Sequence, residues 1–307
     1  MDSRAFKANI VKLKENLLSI TLFFGIILSF VWPDPGLVLK DYIKYFLIIT
    51  TFLSCLNINF KDFKVLKNYW WKLLILLSLI YLVPTFLIFI FGNLFGIKEF
   101  DLVGLVLIAA IPCGISVVFI SDILKGNSSV SLTATTLAYL ICPLVTPFLV
   151  QLFSHSTVEI SFADMSILII EIILIPFVLA QIVKHTFLLK PLSKIKNSTN
   201  TILLLLMFWG IVAPTIGTMF ADTSATIILI LISIIVLLIT WFLAAILGKS
   251  TQEKATYPTV ALFKNFTLAY VVALSLNRPE ILLGVTIYGI ISNISIIPIQ
   301  IFNNRKI

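Results

Sequence analysis

Charge is scarce in this chain: Asp, Glu, Lys and Arg make up 12% of 307 residues, where a soluble domain carries about a quarter. Only 14 residues are acidic and 2 are histidine. That poverty excludes most catalytic constellations. His155 and His185 stand between apolar runs, HExxH and GxSxG are absent, and no P-loop lysine sits in a Gly-rich turn. The chain is therefore read as neither an enzyme nor an ATP-driven pump, and as needing no cofactor. Cysteine is equally sparse. Cys55, Cys113 and Cys142 lie inside apolar stretches without CxxC or Cys/His spacing. This excludes a zinc site or disulfide framework and leaves three small core residues.

What the chain has instead is apolar length. Hydrophobic residues make up 60% of it, and a helix needs about 20 of them in a row to cross hydrocarbon. Ten segments qualify, near 15–33, 41–59, 69–93, 101–124, 128–153, 162–184, 200–220, 225–248, 256–276 and 280–303. The N-terminal stretch has no cleavage pattern after a short apolar core, so Leu17 to Trp32 is expected to remain as the first span. No separate soluble domain fits in the gaps. The expected fold class is an all-α polytopic membrane protein.

The basic residues test that count. With the N-terminus in the cytoplasm, 17 of the 22 Lys and Arg fall on the cytoplasmic face and 4 on the other, with Lys264 left inside a span. Such a split is the signature of membrane orientation. It also accounts for the net charge of +8 without nucleic acid as a partner. Both termini are expected in the cytoplasm and the protein in the plasma membrane.

Ten spans divide into two sets of five, residues 1–155 and 160–307, and an odd-numbered unit repeated in tandem enters the membrane in opposite orientations. The fourth span, "IAAIPCGISVVFISDILKG", is interrupted by Pro112 and Gly114; the ninth, "TYPTVALFKNFTLAY", carries Pro258 early and Lys264 with Asn265 mid-way. Paired interrupted helices point to a transporter's binding site, because unwound backbone at membrane depth survives only around a protein-lined or wet cavity. Prolines 84, 143, 147, 176, 214 and 298 show that the chain also uses proline freely within spans.

The segment from Ile111 to Leu149 resembles the fourth and fifth helices of the bile acid:sodium symporter superfamily. The family pattern there is P-G-G-x-x-S-N, a turn with K-G-[DN], then L-S followed by Thr, ending L-x-T-P. Pro112, Gly114, Lys125, Gly126, Asn127, Ser131, Thr135 and Pro143 to Pro147 hold those places. "KNFTLAYVVAL" similarly resembles the family's Q-N-x-x-L-A-x-A through Asn265, Leu268 and Ala269. The resemblance implies crossing helices 4 and 9, a core of spans 3–5 and 8–10, and a panel of spans 1, 2, 6 and 7. It also implies a secondary transporter of organic anions, with two sodium ions held at the crossover.

Departures from the family pattern put the sodium ions in doubt. The family's Ser-Asn pair falls at Val117 and Val118, its glutamate at Val260, its ninth-span glutamine at Lys264 and its third-span glutamine at Leu79. Only Ser131 and Thr135 remain as oxygen donors. A hard cation wants about six oxygens, so ordinary sodium coupling is not expected.

Lys264 is expected to stand in roughly the place of a bound sodium, either as a permanent cation or as a proton switch, since a lysine in a low-dielectric site can lose its proton. A structural pair with Glu171 is the alternative, as a mid-membrane charge costs about 2.5–3.5 kcal/mol. Snorkelling falls short, because Lys264 lies about 15 Å of helix beyond Lys254 and its side chain reaches about 6 Å. Glu171, Ser116, Thr267 and Asn293 are candidate cavity residues, with Asn293 also placed to hold the crossing beside Pro298. Thr133, Thr136 and Ser292 line the cavity or bridge helices. Tyr257, Trp70, Trp71 and Trp32 are read as interfacial anchors.

The functional expectation is a sodium-independent secondary transporter of a small organic anion, proton-coupled or facilitative. The alternatives are a sodium-coupled symporter with altered ligands, and a non-transporting receptor or channel. The paired broken helices favour a carrier.

Overall fold

The computed structural model describes residues 20–56, 58, 63, 66–114, 116–154 and 160–295. His155, Pro298, the start of the expected first span and the end of the tenth lie outside the described residues. All regular structure among the described residues is helical. The chain opens with α1 (Ile20–Val31), bent by 111° from the stretch that follows. That stretch holds α2 (Pro33–Leu39), a 3-10 turn and α3 (Ile43–Cys55). Pro33 starts α2 because its missing N–H is an orphan in the first helical turn anyway.

α4 (Leu66–Leu94) is long and continuous, with Pro84 inside it. α5 (Glu99–Ala109) and α6 (Val117–Ile123) are separated by an irregular stretch, and α7 (Ser128–Phe153) follows, capped by the Asn127 side chain. α8 (Phe162–Ile169) runs through a π-turn at Ile170–Leu174 into α9 (Ile175–Val183). Pro176 accounts for the wide turn, because its ring cannot fit against the carbonyl four residues back.

α10 (Leu189–Val212) leads through a 3-10 turn to α11 (Ile216–Ala221), and α12 (Thr223–Leu247) follows. α13 (Thr251–Leu262), α14 (Phe266–Ser275) and α15 (Ile281–Ile294) complete the described chain. α13 starts with a capping box, Ser250 accepting from the Glu253 amide while Glu253 reaches back to the Ser250 amide.

Five described helices are long and apolar enough to cross a membrane, or six if the bent pair counts as one span. The protein is thus a multi-pass membrane protein. The five long ones fall on the expected spans 3, 5, 6, 7 and 8. The expected fourth and ninth spans are each cut into two short helices. α10 begins at Leu189, well before the expected start at 200, since its polar first turns are helical too.

α13 passes through Pro258 without a break, and the interruption comes at Phe263–Asn265, at the Lys264–Asn265 pair. One other expectation is corrected. Tyr257 is 1% exposed, packed inside rather than anchoring at an interface, whereas Trp32, Trp70 and Trp71 are each more than half exposed.

α5 packs on α15 and α4, and α12 on α13 and α15. The first contact is close because Gly104 and Gly284 face each other; a Cβ on Gly104 would lie 2.3 Å from the Ile281 carbonyl oxygen. Small residues that let backbones approach are the usual basis of helix association in lipid, where no hydrophobic drive exists between helices. α3 packs on α9 and α10, and α10 on α2. α14 touches both groups, and its Phe266 meets Phe208 of α10 edge to face with centroids 5.3 Å apart.

Candidate functional site

Pro112 forces the first interruption. The residue before a proline is pushed out of the helical region, so α5 ends at Ala109 and the chain runs extended through Cys113. The second interruption ends where Asn265 caps α14, its Oδ1 accepting from the Leu268 amide at 3.1 Å. The two extended pieces pair antiparallel at Cys113 and Lys264. The Gly114 amide donates to the Phe263 carbonyl at 3.1 Å, and the Asn265 amide donates to the Pro112 carbonyl at 2.9 Å. Each break therefore satisfies polar backbone of the other, as the bilayer interior requires.

Lys264 is 3% exposed, and its ammonium meets backbone carbonyls. It donates to Ile80, to Ala109 at 2.8 Å and to Ile111 at 3.4 Å. These acceptors are free for reasons legible in the chain. Pro84 lacks the N–H that would bond Ile80 four residues back. Ala109 is the last residue of α5, where carbonyls lose their helical donors and the helix dipole is negative. Ile111 lies in the extended piece. An ammonium has three donors, and here three carbonyls take them.

Hydroxyls close the remaining carbonyls in a matched way. Thr146 of α7 donates to the Ala110 carbonyl at 2.6 Å, just past the end of α5. Ser292 of α15 donates to the Leu262 carbonyl at 2.7 Å, at the end of α13, and accepts from the Lys264 amide at 3.4 Å. Asn265 Nδ2 donates to the Tyr139 hydroxyl at 3.0 Å, tying α14 to α7.

Of the residues expected at the crossing, Pro112, Gly114, Lys264 and Asn265 come together there. Thr135 Oγ1 lies 3.3 Å from Cys113 Sγ, and Ser131 Oγ is buried without a hydrogen-bond partner among the described residues. Val117, Val260 and Leu79 are buried apolar positions. Val118 is half-buried on α6.

Glu171 is not the partner of Lys264. It sits in the π-turn of the sixth span and pairs with Lys44 of α3 at 2.9 Å, both half-exposed. Snorkelling is likewise excluded by the burial of the Lys264 ammonium among carbonyls. A small recess beside the crossing is lined by Leu22, Ser116, Ile120, Leu204, Phe263, Lys264 and Asn293. Thr267 is buried in the first turn of α14, outside that lining. Ser292, rather than Asn293, holds the crossing; the Asn293 amide nitrogen donates to the Gly289 carbonyl at 2.8 Å. The Ile80 carbonyl and the Thr146 and Tyr139 hydroxyls were not foreseen. Pro84 was the available signal for the first.

The first of the two paired breaks lies within a stretch that a known family matches. Residues 44–252 fit the model of the sodium bile acid symporter family. The chain belongs to this family. Its members are transporters, and the match stops short of Lys264. A relative from Bacillus subtilis (strain 168), named an uncharacterized sodium-dependent transporter, YocS, is 30% identical over 163 residues. That stretch covers 52% of this chain and 50% of the relative, so the chain spans about half the length of the curated protein it matches.

Proposed function

We propose that this chain is a secondary transporter of small organic anions that works without sodium, with the Lys264 ammonium as the fixed charge holding two crossing helices together. The observation that carries this reading is the closure of that ammonium by three backbone carbonyls from α4 and the first break. A sodium ion at a crossing neutralises converging carbonyl dipoles; a tethered ammonium does the same without a transported ion. The sodium dependence named for the B. subtilis relative is not carried over. Val117, Val118, Val260 and Leu79 offer no side-chain oxygen where a hard cation would need several.

In this reading ten spans form two inverted sets of five, residues 1–155 and 160–307. Spans 3–5 and 8–10 are a core that moves against a panel of spans 1, 2, 6 and 7, exposing the site to each side in turn. The paired breaks support it, as do the matched hydroxyls of Thr146 and Ser292 and the packing of α9 and α10 on α3. The protein sits in the plasma membrane with both termini in the cytoplasm, as the basic residues are distributed. All three ammonium protons are engaged, which favours a permanent cation over a proton switch. The recess bearing Ser116 and Asn293 is the place for the anion's polar end.

Reconstituted protein tests this directly. Uptake of labelled organic acids should saturate and exchange, and neither uptake nor thermal stability should respond to replacing potassium with sodium. A clear sodium-dependent gain in either overturns the reading, as does unsaturated electrical conduction.

A further inference from the structure

The α9–α10 hairpin concentrates basic charge. Between Glu171 and Asp222 there is no acidic residue, while Lys184, Lys190, Lys194 and Lys196 fall within one short stretch. The hairpin is fixed in place at its base. Gln181 Nε2 donates to the Cys55 carbonyl at 3.0 Å and Lys184 Nζ to the Ile58 carbonyl at 2.6 Å, closing the C-terminal end of α3.

Beyond that base, Phe187 stands 84% exposed at the tip and Ile195 54% exposed on α10. Lys190 and Lys194 are exposed and four residues apart, so they share one helix face. Two like charges at that spacing repel unless an anion lies between them. The helical run Leu189–Ala221 has 33 residues, about 50 Å of helix, against a hydrocarbon thickness of about 30 Å. Its lysine-bearing turns, which precede the apolar run from Ile202, therefore extend past the hydrocarbon at one end.

We propose that this hairpin docks on the anionic headgroups of a phospholipid leaflet, Lys190 and Lys194 meeting phosphate oxygens and Phe187 entering the apolar boundary beside them. A leaflet supplies both kinds of surface at once, and a soluble anion supplies only the first. Each lysine near an anionic surface is worth about fivefold in affinity at low salt. The pair should therefore contribute roughly 25-fold, falling as salt shortens the screening length.

The test uses full-length protein in detergent, titrated with phosphatidylglycerol, phosphatidylcholine or inorganic phosphate while the thermal midpoint is followed. Phosphatidylglycerol should raise the midpoint beyond phosphatidylcholine. K190Q/K194Q should need roughly 25-fold more of it for the same rise, with an unchanged midpoint in phosphatidylcholine. K249Q/K254Q, exposed lysines elsewhere, should respond like wild type. High salt should reduce the wild-type gain, which checks the proposal independently of any variant. Equal phosphatidylglycerol dependence in wild type and K190Q/K194Q overturns the proposal. So does inorganic phosphate reproducing the gain, which would assign the lysines to a soluble anion.

Discussion

The Lys264 ammonium donates to the carbonyl of Ile80, an acceptor inside α4 that Pro84 strips of its helical donor. The proline and the lysine are complementary defects 180 residues apart in sequence. One leaves a carbonyl unpaired at membrane depth, and the other brings a buried charge with nothing acidic beside it. Each alone is costly; together, with the end of α5, they form a closed polar knot at the crossing.

Lys264→Met keeps the stem and removes the donors. The three carbonyls stay behind, each unsatisfied buried group costing about 1–3 kcal/mol, so the variant should lose roughly 3 kcal/mol or more of stability. Pro84→Ala restores an N–H to Ile80. In the Lys264→Met background it should return about 1 kcal/mol, and a double-mutant cycle on thermal unfolding should show coupling between the two sites. Additive effects would deny that Pro84 and Lys264 act on the same carbonyl.

Gly104 and Gly284 set the approach of α5 to α15. Gly104→Ala places a Cβ against the Ile281 carbonyl oxygen, where neither helix backbone can yield cheaply. A loss of about 1–3 kcal/mol is expected in denaturant or thermal unfolding. Gly217→Ala, with open space around its Cα, is the matching control and should be neutral or slightly stabilising.

Much of this was legible in sequence because membranes simplify the reading. Apolar length and the basic residues gave spans whose long members appear as α4, α7, the α8–α9 run, the α10–α11 run and α12. The polar pair Lys264–Asn265 marked one break, and Pro112 the other. What was not legible are partners supplied by backbone, which has no letter of its own: the carbonyls of Ile80, Ala109 and Ile111 became acceptors only through the tertiary crossing. Pro258 left its helix intact because a helix tolerates the loss of one hydrogen bond where its neighbours hold it. Glu171 drew attention as a carboxylate within a span, yet Lys44 lay within its reach.

Glu253 gives the described structure an acid limb. It is 7% exposed, and burial disfavours its charged form, but the Lys72 ammonium at 2.5 Å and the Lys249 and Ser250 amides outweigh this and hold its carboxyl below the usual value. A carboxyl with a depressed folded value stabilises the protein above its unfolded value near 4.5, and that contribution is lost as pH falls through the lower folded one. Thermal midpoints should therefore drop below about pH 4.5, and Glu253→Gln should flatten that drop while lowering stability at neutral pH by an amount on the order of 1–3 kcal/mol.

Lys264→Gln separates the charge from the ion site. Glutamine has a neutral amide that can donate two hydrogen bonds, so part of the carbonyl knot can persist, and the variant should be more stable than Lys264→Met. The positive charge is gone, however, and a sodium ion could replace it only with enough oxygens around it. Val260, buried at the end of α13, has no carboxylate, and Val117 and Val118 bring no amide or hydroxyl. Transport by Lys264→Gln should therefore fall without becoming sodium-dependent. Adding Val260→Glu supplies the missing negative ligand beside the glutamine, and only then should sodium raise the thermal midpoint in a concentration-dependent way. A sodium response in the single variant would mean that the carbonyls of the crossing suffice for the ion, and that Lys264 excludes sodium rather than replacing it.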